Sequence, residues 1–177
     1  MFSCNFVANM HKIMLILLCS LIYGCGVYSV YSKANPHLNT IAIRSFENES
    51  IQYGLEGEIR DKLNNKFISD NRLKVVDNNP DVEIIGKVLS YEKLVYSYDM
   101  NEQPKEHILK MKFSITINDM VKNRILWQNQ KFLMSAIYNE NLPQDTESTQ
   151  NRTEQEAFEE IVDNLFQKLL SNTVEEW

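Results

Sequence analysis

Along Ile108–Asp119 apolar and polar residues alternate without a break. Leu109, Met111, Phe113, Ile115 and Ile117 point one way, and Lys110, Lys112, Ser114, Thr116 and Asn118 the other. A period of two with one polar side predicts an antiparallel strand whose outer face is wet. Weaker versions of the same pattern predict strands over Leu38–Phe46, Leu73–Val76, Val82–Tyr98 and Ile125–Tyr138. In the first, Ile41 and Ile43 oppose Thr40, Ala42 and Arg44; in the third, Ile85, Leu89, Tyr91 and Val95 share the apolar face. Gly86 inside that third strand marks a bulge or a close approach. Polar turns separate the strands at Glu47–Ser50, Asp77–Asp81, Asp99–Lys105, Lys122-Asn123 and Asn139–Gln150.

Two segments change period. Ile51, Leu55, Ile59, Leu63 and Phe67 recur every four residues, which predicts a helix capped by Ser50 and closed by Asp70-Asn71. Thr153-Glu154-Gln155-Glu156 has the form of a capping box and opens a second helix. Its apolar face is Ala157, Phe158, Ile161, Val162, Leu165, Phe166 and Leu169, with Glu159, Glu160, Asp163 and Lys168 opposite. The order is β-α-β-β-β-β-α. One-sided helices and a one-sided sheet predict an α+β, two-layer sandwich: a mostly antiparallel sheet of about four strands with two helices packed on one face. Residues 38–177 form this single domain.

The first 24 residues do not belong to it. His11-Lys12 precedes the apolar run Ile13–Tyr23, which is too short to span a bilayer and reads as a signal peptide over residues 1–24. Met10, which keeps Lys12, is a better start for this signal than Met1 or Met14. The run ends in Ile22-Tyr23-Gly24-Cys25, which resembles a bacterial lipobox. That resemblance implies cleavage before Cys25, a diacylglycerol thioether on its sulfur and an acyl chain on its freed amine. Several chains hold a domain on a membrane where one is marginal. Residues 25–37 are then a lipidated tether. Gly26 beside the cysteine, by resemblance to enterobacterial sorting rules, implies the outer membrane and its periplasmic face.

The formal net charge of −6 argues against nucleic-acid binding. The three cysteines, Cys4, Cys19 and Cys25, all precede the domain, so it holds no thiol nucleophile and no disulfide. His37 and His107 have no metal-ligand spacing, and no nucleotide-binding or hydrolase motif occurs. The expectation is a protein that is not an enzyme, with no metal and no cofactor beyond the acyl chains on Cys25. What remains is a run of cations, Lys87, Lys93, Lys105, Lys110 and Lys112, interleaved with Tyr91, Tyr96 and Tyr98. The plain reading is edge protection and solubility. The sharper one is a surface facing an anion such as a phosphorylated lipid headgroup.

An ordered set of segments resembles the lipopolysaccharide-assembly lipoproteins of the LptE type: Cys25–Ser29, Asn39–Asn48, Pro80–Tyr91, then Asp119, Leu126-Trp127, Tyr138 and a terminal helix ending at Trp177. The resemblance implies a non-enzymatic plug and assembly partner of an LptD-type outer-membrane β-barrel translocon that inserts lipopolysaccharide into the outer leaflet. Lys93, Lys105, Lys110 and Lys112 are then the candidate lipopolysaccharide-facing residues. The Thr40–Asn48 segment also resembles envelope adaptors of other pathways, which activate a cell-wall synthase or build a secretion pore, and that alternative stays open.

Overall fold

The structure is a computed structural model that describes residues 35–139 and 152–174. Its elements, in order, are β1 (Thr40–Ile43), β2 (Glu47–Asn48), α1 (Leu55–Asp70), β3 (Lys74–Val75), β4 (Val82–Tyr98), β5 (Pro104–Asp119), β6 (Arg124–Tyr138) and α2 (Glu154–Val174). The class is α+β, as the pattern predicts. The sheet, however, has six strands rather than about four, in the order β3-β1-β4-β5-β6, with β2 continuing the β1 edge against β4. Strands β4, β5 and β6 form the antiparallel part, whereas β1 runs parallel to both β3 and β4. Parallel neighbours need a crossover connection, and α1 supplies it between β1 and β3.

Strand β5 follows its pattern throughout. Leu109, Met111, Phe113, Ile115 and Ile117 are all fully buried, and the residues between them face the other side. Strand β4 departs from the expectation. Val88 pairs with Phe113 but Ser90 pairs with Lys112, so Leu89 is an extra residue in β4. This bulge exchanges the two faces. Before it Val82, Ile84 and Val88 are buried; after it Tyr91 is. Of the expected inward set, only Tyr91 is buried: Ile85 is 41% exposed, Leu89 is half-buried, and Val95 lies 39% exposed past the core.

Helix α1 starts one turn later than expected. The Asn48 carboxamide oxygen accepts bonds from the Ser50 N–H at 3.0 Å and its hydroxyl at 2.7 Å, so Ser50 serves a polar turn and no cap. Gly54, at φ 83°, turns the chain into the helix, and Ile51 is left exposed. Leu55, Ile59, Leu63 and Phe67 are buried as the stripe predicts. Asn71, also left-handed, closes the helix by donating its N–H to the Phe67 carbonyl at 3.1 Å. Helix α2 opens with the expected box: the Thr153 N–H bonds the Glu156 carboxylate at 2.7 Å, and the Glu156 N–H bonds the Thr153 hydroxyl at 3.2 Å. Both helices press their apolar stripes into one core with the inner face of the sheet, and Phe67 meets Phe166 edge-on at 4.9 Å.

Gly86 is a close approach and not the bulge. A Cβ there would lie 2.2 Å from the Phe46 ring, which covers the glycine where the chain passes from β1 to β2. Gly86→Val should therefore force the ring out of the core. We expect a loss of about 1–3 kcal/mol of unfolding free energy in urea titration, with Phe46→Leu in the same chain recovering part of it.

At the start of β1 a buried carboxylate ties the incoming chain to the sheet. Asp119, 1% exposed, accepts bonds from His37 Nε2 at 2.9 Å, Arg124 Nε at 3.2 Å, and the N–H groups of Val121 at 3.1 Å and Lys122 at 2.9 Å. Arg124 also reaches Asn35, whose side chain bonds the Thr173 carbonyl at the end of α2. Burial pushes the Asp119 pKa up, but the His37, Lys122 and Arg124 bonds outweigh it and hold the carboxyl at about 2. Its ordinary value is about 3.9. A carboxyl depressed on folding contributes stability above its unfolded pKa and loses it as pH falls through the folded one. Urea midpoints should thus fall between pH 4 and pH 2. Asp119→Asn should cost about 1–3 kcal/mol at neutral pH and flatten that acid slope.

Candidate functional site

With both helices on one side, the other face of the sheet is the surface left uncovered among the described residues. Strand register places its side chains in rows. Glu83, Asn118 and Ile125 lie together at one end; Ile85, Thr116 and Gln128 follow, then Lys87 and Ser114; Ser90, Lys112 and Leu133, then Glu92, Lys110 and Ser135, then Leu94, Ile108 and Ile137 complete it. It is a wet face, with hydroxyls, amides and ion pairs between scattered apolar residues.

The four candidate lysines do not converge. Lys110 and Lys112 share the outer face, opposite Glu92 and Ser90. Lys93 pairs in register with inward-facing Leu109 and so sits on the helix side, where its ammonium bonds Glu154 at the start of α2 at 2.9 Å. The Tyr91 hydroxyl donates to the same carboxylate at 2.6 Å. Burial pushes the Tyr91 phenol above its ordinary range, and the neighbouring Glu154 carboxylate adds to this. Burial also works to raise Glu154, but the bonds from Tyr91 and Lys93 hold it below the usual range. Lys105 is exposed near the hairpin turn. Lys87 bonds Glu47 and lies beside Glu49, which hold its pKa above the usual lysine value. Cys25, the expected lipidation site, and Trp177 lie outside the described residues.

The sequence pattern singles out Tyr96 and Tyr98, but not the surfaces formed at the two ends of the sheet. The β4–β5 hairpin runs past the helices, exposing Leu94, Tyr96, Tyr98 and Met100 around a polar turn. At the opposite end the β5–β6 turn exposes Met120, Val121 and Ile125. The one available signal is apolar residues beside turn residues, and only the three-dimensional ends of the sheet give it meaning. Lys131, at an irregularity of β6 opposite β5, adds an exposed cation that the pattern did not single out. Among the described residues no cluster of His, Asp or Glu could hold a metal ion, and no helix is long and apolar enough to cross a membrane.

Comparison with known proteins gives the arrangement its context. A hypothetical protein from Chlamydia trachomatis is similar in structure, with a TM-score of 0.56 and 6% identity over 77% of this chain and 98% of its own. At that identity the likeness shows the fold alone. Looser likenesses include an uncharacterized lipoprotein B from Nitrosomonas europaea (TM-score 0.48, 17% identity, 75% of this chain and 80% of that one). Another is the PelC dodecamer from Paraburkholderia phytofirmans (TM-score 0.46, 12% identity, 77% and 89%). No curated protein sequence matches the chain. The LptE family model, described as lipopolysaccharide-assembly, matches residues 38–169, from the last residues before β1 to late α2. That span takes in every strand, α1 and most of α2 in their order, and the chain therefore belongs to the LptE family, a family of lipopolysaccharide assembly.

Proposed function

We propose that the protein is an outer-membrane lipoprotein, anchored through acyl chains on Cys25 at the periplasmic face. It serves as the plug and assembly partner of an LptD-type β-barrel translocon that inserts lipopolysaccharide into the outer leaflet. The observation that carries the proposal is the family match over residues 38–169. Physical features favour the same reading. The sheet is covered by helices on one side only, and its other face carries Lys110, Lys112, Ser114, Thr116 and Asn118. Such a wet face suits the polar lumen of a barrel. A lipid tether raises the concentration of the domain beside a barrel in the same membrane. The role is non-catalytic: binding, orientation and support of barrel assembly.

Within this proposal Lys105, Lys110 and Lys112 meet the phosphates of lipopolysaccharide, by charge-assisted contacts. Lys93, on the helix side of the sheet and bonded to Glu154, does not share their face.

Two experiments test the reading. A C-terminally tagged chain extracted from outer membranes in mild detergent should bring down a large β-barrel in equal amount, and its N-terminal peptide should begin at an acylated Cys25. A cell-wall synthase, a ring of the protein itself or no partner would contradict it. The triple variant Lys105→Glu, Lys110→Glu, Lys112→Glu should bind lipopolysaccharide several-fold more weakly while its circular dichroism is unchanged. Equal binding removes the phosphate contact.

A further inference from the structure

We infer that the β5–β6 turn is a second membrane contact, a foot that rests on the phospholipid surface beside the lipid anchor. Met120, Val121 and Ile125 are 49%, 56% and 57% exposed, close in sequence, and interspersed with Lys122 and Arg124. Apolar side chains mixed with Lys and Arg suit a bilayer interface: the former enter the acyl boundary and the latter meet the phosphates. Arg124 is shared with Asp119 and Asn35, so Lys122 is the cation of the turn left to meet a phosphate. The neighbouring acids are already engaged. Asp119 is held by His37 and Arg124, Asp81 accepts the N–H groups of Asn39 and Thr40, and Glu83 bonds Arg44 at 2.6 Å.

The position of the chain favours a bilayer as the occupant. The described residues begin at Asn35, which bonds Arg124 of this same turn at 3.1 Å. From there the ten residues 25–34 reach at most about 35 Å back to Cys25. The opposite end of the sheet, with Tyr96, Tyr98 and Met100, is more apolar in exposure. Yet it lies a full strand away, about 50 Å for the length of β5. A chain anchored at Cys25 can therefore set the foot, which adjoins Asn35, on the membrane more readily than the hairpin tip. This inference rests on the reading of Cys25 as the anchor, and the test separates the two.

The chain beginning at Cys25 is coupled through that thiol to a maleimide phospholipid, in phosphatidylethanolamine–phosphatidylglycerol vesicles with brominated acyl chains. Anchoring is thereby imposed, whatever the native state of Cys25, which mass spectrometry of the native chain reports separately. Val121→Trp should add a fluorescence component that bromine quenches at least twofold beyond the parent chain; Tyr98→Trp should add none that is quenched. Met120→Ser, Ile125→Ser and Lys122→Glu, placed together in the Val121→Trp chain, should remove at least half of the extra quenching without altering circular dichroism. An unquenched tryptophan at 121, or stronger quenching at 98 than at 121, overturns the foot. A native Cys25 without acyl chains overturns the anchor reading and leaves the quenching result to stand by itself.

Discussion

The fold depends on the pleat of β5. Its five inward side chains, Leu109, Met111, Phe113, Ile115 and Ile117, are fully buried, and the strand is paired on both sides for most of its length. Because side chains alternate with a period of two, a slip of one residue would move all five to the wet face. The register of β4 and β6 is thus set against β5, and it is these neighbours that take up the irregularities. Leu89 is the extra residue in β4, and β6 shifts opposite Phe113–Ile115 and again opposite Ile117-Asn118. The helices then cover the inner face that this register fixes, and the outer face stays polar.

This division explains what could be read from the residues. Strand β5, the stripe of α1 from Leu55 onward and the whole inner face of α2 follow from period alone, since each element is uninterrupted and one-sided. The face of β4 did not. Ile85 and Leu89 have the right chemistry for a core, and a bulge that exchanges faces midway leaves no mark in composition. The start of α1 was misplaced because Ile51 falls on the stripe by spacing, while Asn48, three residues before it, diverts Ser50 into a turn. Strand β3 lies within the expected Leu73–Val76, whereas β2, two residues inside the expected polar turn Glu47–Ser50, is too short to show a period and is the strand the pattern misses. The lysines were legible as cations but not as a surface, because parity and the Glu154 carboxylate send Lys93 to the other side of the sheet from Lys110 and Lys112.

The two ends of the sheet differ in chemistry. At one end a buried carboxylate gathers His37, Arg124 and the β5–β6 turn, so the incoming chain is fixed to the domain within a few residues of β1. At the other end the β4–β5 hairpin extends past the core with aromatic and apolar side chains in water. The domain is thus tied to its incoming chain at one end and presents an apolar, two-stranded prong at the other.

The most direct test of the account is made in cells. The protein is depleted, and newly made lipopolysaccharide is pulse-labelled and assayed at the cell surface with an impermeant reagent. The account predicts that surface arrival falls steeply within a generation, that label accumulates on the periplasmic side, and that cell-wall synthesis continues at first. Normal arrival of lipopolysaccharide at the surface, with failure of the cell wall or of secretion instead, would contradict it.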